Sequence, residues 1–275
     1  MNYYGIPYLQ NKLTLKRSRV LTRYAFYEMK NAAYDFGIST PPELKYWNSV
    51  VGWCAKGVDA LADRLSFYAF RDDVFGLNEI YDMNNRDILF SSAVLGALIS
   101  SCDFIYLSED ETGFPRMQVI DGGNATGVID DYTKLLTEGY AVLDRDDKDV
   151  VTRWAYCTPG RTEIYEAGQT DPIAVETFKS NYCALVPIIY KPDAKRQFGH
   201  SRISRACMDY AKSAMRTVKR SEIAAEFYSF PQKYATGLSE DAEMLNSWQA
   251  TMSAMLTFTK DEDGDRPTLG QFQAA

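Results

Sequence analysis

The apolar positions of this chain keep a helical period as far as Ser100, alternate as short strands from Asp103 to Tyr190, and return to a helical period after Ser201. Within residues 1–36, Leu9, Leu13, Val20, Tyr24 and Tyr27 fall largely on one side of a helix, while Lys12, Lys16, Arg19 and Arg23 fall on another,. The basic side reads as the solvated face of a helix packed on the body, with membrane-surface binding as the alternative. Thr40-Pro41-Pro42 ends that helix,. Residues 42–62 predict a second one with Leu44, Trp47, Val51 and Cys54 as its apolar stripe. Residues 68–70 predict a short strand. Asn84 or Asn85 starts a helix through Ser100 that buries Ile88, Leu89, Val94, Leu95, Leu98 and Ile99.

Residues 103–107, 116–120, 140–144, 150–157, 161–166 and 184–190 read as strands,. Turn signals separate them: Glu111-Thr112-Gly113, Asp121-Gly122-Gly123-Asn124, Asp146-Asp147 and Thr158-Pro159-Gly160,. Helices followed by an antiparallel meander predict the α+β class, in a domain ending near Asp193. The strand region is acidic, with twelve acids against four bases from 103 to 149. Asp144-Arg145-Asp146-Asp147-Lys148-Asp149 lacks the spacing of a calcium loop and reads as a turn with solvated charges, as does the run 260–265,.

The last helical segment places Ile203, Cys207, Tyr210, Ala211, Ala214 and Val218 on one face, with Ser201 or Ser204 as its cap,. Phe230-Pro231 stops it. From Arg202 to Lys233 there are seven Lys and Arg against three acids, although the whole chain carries −7. A basic helix in an acidic protein fits a channel wall or a partner surface for a polyanion, or simply a solvated outer face. Residues 233–236 then predict a strand. A helix from Ser239 with Met244, Leu245 and Trp248 on its apolar face follows, and residues 252–259 predict a second strand, so the C-terminal part reads as a small β-α-β unit.

Three pieces in this order carry a family resemblance: Val186-Pro187-Ile188-Ile189-Tyr190; Phe198-Gly199-His200-Ser201-Arg202-Ile203-Ser204-Arg205-Ala206; and Glu226-Phe227-Tyr228-Ser229-Phe230-Pro231-Gln232-Lys233-Tyr234-Ala235-Thr236-Gly237. The chain thereby resembles the portal proteins of long-tailed bacteriophages over residues 45–272, most sharply over 183–237. The resemblance implies a portal-like architecture: an outer α+β wing over 1–198, a stem helix over 199–231 and a clip over 232–275. It also implies a second stem helix, a tunnel loop and a crown beyond this point, and the sequence stops at Ala275 without them.

Portals are ring-shaped homo-oligomers at one capsid vertex, through which DNA enters and leaves. The resemblance therefore implies a non-enzymatic subunit without cofactor, located in the virion and, during assembly, in the host cytoplasm. Its implied partners are further copies of itself in a dodecamer, passing double-stranded DNA, the terminase motor, head-completion connectors, and capsid and scaffold proteins. Arg205, Lys212, Arg216, Lys219 and Arg220 become candidates for channel or subunit contacts. Tyr234, Trp248 and Phe258 become candidates for docking in the clip. Reversing Lys212, Arg216 and Lys219 is expected to disturb DNA passage or ring packing more than folding, and Trp248→Ala is expected to damage the clip.

Composition narrows the alternatives. Five cysteines without a C-x-x-C pair predict reduced, mostly buried thiols and intracellular folding,. His200 is the only histidine, which excludes a multi-histidine metal site or a histidine triad within one chain,. His200 itself reads as structural. No run of apolar residues reaches membrane-spanning length, and the N-terminus lacks the features of a signal peptide. P-loop and G-x-S-x-G motifs are absent, and Gly122–Gly127 lacks the βαβ context of a nucleotide site,. Two other readings stay open: a DNA-binding or adaptor module using the basic helix 202–220, and a nuclease using clustered carboxylates and a metal ion.

Overall fold

A computed structural model describes residues 3–31, 49–71, 73–229, 233–236 and 268–271. The chain divides into two compact units: residues 1–31 with 51–211, and residues 32–50 with 212–275.

Among the described residues, the first unit holds four helices and two antiparallel sheets. The helices are α1 (Ile6–Tyr27), α2 (Trp53–Ala62), α3 (Leu77–Met83) and α4 (Arg86–Ser100). The strands are β1 (Cys102–Glu109), β2 (Pro115–Ile120), β3 (Ala125–Ile129), β4 (Leu136–Arg145), β5 (Val151–Thr158), β6 (Arg161–Glu166), β7 (Ala174–Thr177) and β8 (Leu185–Ile189). One sheet has the order β2-β1-β8, and the other is the meander β3-β4-β5-β6-β7. The mixed α+β class predicted from the change of period is what the chain adopts.

The strand period decides the core. Cys102, Phe104 and Tyr106 alternate along β1 onto one face, where they meet Ile120, Ala125, Leu136, Ala155, Cys157 and Leu185 from both sheets,. Strand β4 is covered on both faces. Leu136 and Ala141 enter this core, while Tyr140 and Val142 pack against Leu9 and Leu13 of α1. Burying each such leucine contributes roughly 1.5–3 kcal/mol. A helical layer, with Phe26 from α1, Cys54 and Val58 from α2 and Leu98 and Ile99 from α4, closes around Ile203 and Ala211.

Several expectations change. Of the basic side of α1, Arg19 is exposed, but Lys12, Lys16 and Arg23 are partly buried. Lys12 Nζ donates to the carbonyl of Gly127 at 2.8 Å, Lys16 Nζ to that of Ala125 at 3.5 Å, and Arg23 Nη1 to that of Ser100 at 2.7 Å. Lys12 and Lys16 also lie over the Phe198 ring. Burial lowers the affinity of both lysines for their protons. These three side chains clamp α1 onto the body, because carbonyls of β3 and of the end of α4 accept what the long cationic stems deliver,.

Residues 68–70 form no strand. Phe67 and Phe70 pack against Tyr81 of α3, an element that no periodic signal marked. Ile88 is 70% exposed rather than buried. Strands β3 and β7 were also not marked. The predicted start of the second helix, with Leu44 and Trp47, lies outside the described residues.

Of the second unit, the structure describes a short antiparallel pair, β9 (Lys233–Thr236) with β10 (Thr268–Gln271), in the register Thr236↔Thr268. It also describes most of a long helix, α5 (Arg205–Ser229), which starts in the first unit. The predicted helix from Ser239, the strand 252–259 and the charged run 260–265 lie outside the described residues.

Candidate nucleic-acid interface

The segment leading into α5 is fixed by its own polar atoms. Pro187 sits in β8, which among the described residues pairs with β1 alone and stands at the edge of its sheet, where a missing N–H does no harm,. Beyond it, Gly199 has φ +72°, and a Cβ there would lie 2.1 Å from the carbonyl oxygen of Tyr190, so glycine is required. The N–H of His200 donates to that same oxygen at 2.9 Å. Ser201 Oγ donates to the carbonyl of Ile99 at 2.6 Å, and the Arg202 N–H donates to that of Leu98 at 2.9 Å. The F-G-H-S-R-I segment thus ties the end of α4 to the start of α5.

Between the two cap candidates, the geometry selects Ser204. Its Oγ accepts the N–H of Cys207 at 3.2 Å, which satisfies one of the donors that a helix start leaves open,. Ser201 Oγ instead accepts the N–H of Ile203. His200 is a loop fastener. Its Nε2 lies 2.6 Å from Asp193 Oδ2, and this contact holds the Asp193 carboxyl below the usual carboxylate range.

The buried stripe of α5 differs from the predicted one. Ala211, Met215 and Lys219 are buried at steps of four, with Cys207 and Met208 partly covered before them. Tyr210 is 71% exposed and Val218 39%. The face is rotated because Met208 and Met215 carry its apolar surface, and an aromatic ring at 210 is not needed.

The basic candidates sort accordingly. Arg205 is exposed at the helix start, in the first unit. Lys212, Arg216, Lys219 and Arg220 follow at i, i+4, i+7 and i+8, which is one face of a helix,. They are not equally available. Arg220 is exposed, Lys212 and Arg216 are half-buried, and Lys219 is buried at 8% exposure. Arg216 Nη2 donates to Ser213 Oγ at 3.2 Å. Of the acids on α5, Asp209 is exposed, and Glu222 Oε2 accepts the hydroxyl of Ser49 at 2.9 Å. Tyr234 lies on β9, while Trp248 and Phe258 lie outside the described residues.

Two clefts open in the first unit. One of about 620 Å³ is lined by Leu107, Leu136, Leu185 and Phe178 with Glu109 and Glu176. Burial and the neighbouring Glu109 raise the Glu176 carboxyl. The other, about 790 Å³, lies between α1 and β4–β5 and holds Arg17 and Arg145. Both arginines contact Asp149, and Arg17 does so with both carboxylate oxygens, at 2.8 and 2.7 Å. Asp146 Oδ1 accepts the N–H groups of Lys148 and Val150. The acidic run at 144–149 is therefore an ordered hairpin turn built by carboxylates on local donors. Among the described residues, no group of three or more His, Cys, Asp or Glu is placed to hold a metal ion, and no helix is long and apolar enough to cross a membrane.

No protein-family model matches the chain, and no curated protein matches it.

Proposed function

We propose that this chain is a portal subunit of a tailed bacteriophage, one copy in a ring of about twelve that conducts double-stranded DNA through a capsid vertex. The observation that carries this reading is the junction at residues 198–204. There an antiparallel α+β unit passes, through a glycine-dependent and serine-capped turn, into a 25-residue helix with cationic side chains at i, i+4, i+7 and i+8.

In this reading the helix carries the charges that pass DNA or contact a neighbouring subunit. Mixed bases and acids suit a conduit, because a continuous cationic surface would grip each phosphate and resist movement. The region after Pro231 docks the terminase motor and the connectors. The chain performs no chemistry of its own, and ATP-driven force comes from the motor.

Negative-stain electron microscopy of protein expressed from the reading frame that contains residues 1–275 tests the proposal. Top views of rings with a central hole are expected. A monodisperse monomer at high concentration, in the presence of scaffold and capsid proteins, overturns it.

A further inference from the structure

We propose that Cys54 and Cys207 are a latent disulfide pair, which closes when the folded chain meets a small-molecule disulfide such as oxidised glutathione. Their sulfurs lie 3.4 Å apart, although the residues are separated by 153 positions in the chain. Cys54 stands in the first turn of α2 and Cys207 in the first turn of α5, inside the helical layer around Leu98, Ile99 and Ile203. Closing the bond needs the sulfurs to approach by about 1.4 Å.

The two thiols have different access. Cys54 is 2% exposed, whereas Cys207 is partly exposed. Burial and the contact with Cys207 push the Cys54 thiol up to about 12. Cys207 is therefore the entry point. Its thiolate attacks one sulfur of oxidised glutathione, the glutathione S–S bond breaks, and a mixed disulfide forms on Cys207. The released glutathione thiolate takes up the proton that Cys207 lost. Cys54, now beside an activated sulfur, attacks the Cys207 sulfur and expels the second glutathione, which takes the second proton. Two protein thiols lose two electrons, and one oxidised glutathione becomes two thiols.

The other cysteines are placed differently. Cys102 and Cys157 are fully buried, and Cys183 is nearly so. Cys102 directs its thiol to the carbonyl of Asp103 and Cys183 to that of Cys157. The closed pair would fasten α2 to the start of α5, adding a covalent bond to the hydrogen bonds that Ser201 and Ser204 make there. The inference rests on unit-internal geometry alone and stands independently of the conduit reading.

The test uses the whole folded chain. It is incubated with oxidised glutathione, unfolded in excess N-ethylmaleimide and mapped by peptide mass spectrometry. The expected result is alkylation of three of the five thiols, a linked peptide pair containing Cys54 and Cys207, and a thermal midpoint raised by about 5–10 °C that dithiothreitol reverses. In Cys207→Ser the midpoint no longer responds to oxidant. Cys54→Ala gives the same comparison from the buried side, with a glutathione adduct left on Cys207. Five alkylated thiols, a stable adduct on Cys207 in the unsubstituted chain, a link between another pair, or an oxidant response that survives in Cys207→Ser each overturns the proposal.

Discussion

At the residue scale, two buried carboxylates govern the first unit, in opposite ways. Glu138 on β4 is 1% exposed and accepts the N–H groups of Tyr4 and Gly5 at 3.0 and 3.1 Å and the hydroxyl of Tyr156 at 3.0 Å. It holds the chain just ahead of α1, where Gly5 has no side chain to cap the helix. Glu138→Ala leaves three donors without this acceptor and is expected to lower stability by about 2–3 kcal/mol in urea unfolding, with Glu138→Gln lowering it less. Equal stability of Glu138→Ala and the parent would show that water replaces the carboxylate.

Asp103 is 2% exposed, with Oδ1 accepting from Ser100 Oγ at 2.8 Å and from the Gly122 N–H at 2.9 Å. Burial nevertheless raises it to about 7, against those bonds and the nearby Lys16, with Asp121 adding to the rise. The folded state thus favours the neutral carboxyl. Its contribution is complete below about 4 and is lost as pH rises through about 7. Asp110, Asp130, Asp149 and Asp193 are held below their usual range and contribute fully above about 4, so they do not mask this window. Thermal melts from pH 4.5 to 8 should show the midpoint falling, and Asp103→Asn should flatten the slope. An unchanged slope in that variant would move the effect to Glu176, the other carboxyl raised by burial.

At the element scale, α5 separates a structural cation from surface ones. Lys219 is 8% exposed, so Lys219→Glu sets a carboxylate into a covered position and should lower stability by about 2–4 kcal/mol,. Arg220 is exposed, and Arg220→Glu should lower stability by less than Lys219→Glu does,. Chemical denaturation of the two variants checks this contrast. Reversing Lys212, Arg216 and Lys219 together would therefore mix folding with function. Lys212, Arg216 and Arg220 form the better set for a DNA-packaging assay. Helix α1 shows the reverse: Lys12, Lys16 and Arg23 look like a solvent face in sequence, yet they donate to the carbonyls of Gly127, Ala125 and Ser100.

At the scale of the whole molecule, a chain of net charge −7 with one helix rich in bases should bind free DNA poorly,. For a conduit subunit outside its ring, fluorescence anisotropy with a DNA duplex should give a dissociation constant weaker than about 10 μM at physiological salt. Tight binding that falls steeply with salt would favour the adaptor reading instead.

The sequence by itself determined the class and the order of the longer elements. Period and turn chemistry are local properties, so the change of period after Ser100 marked α4, β1 and most of the meander, and a capping serine marked the entry to α5. It also marked the cationic residues of the candidate site, though not their exposure. Only the tertiary structure decided which charges reach solvent, that Ser204 rather than Ser201 caps α5, and that Cys54 meets Cys207. The short elements α3, β3 and β7 escaped for the same reason. Their stability comes from partners such as the Phe67 ring or the neighbouring strands β4 and β6, and burial is a property of such distant pairs, which no local pattern encodes,.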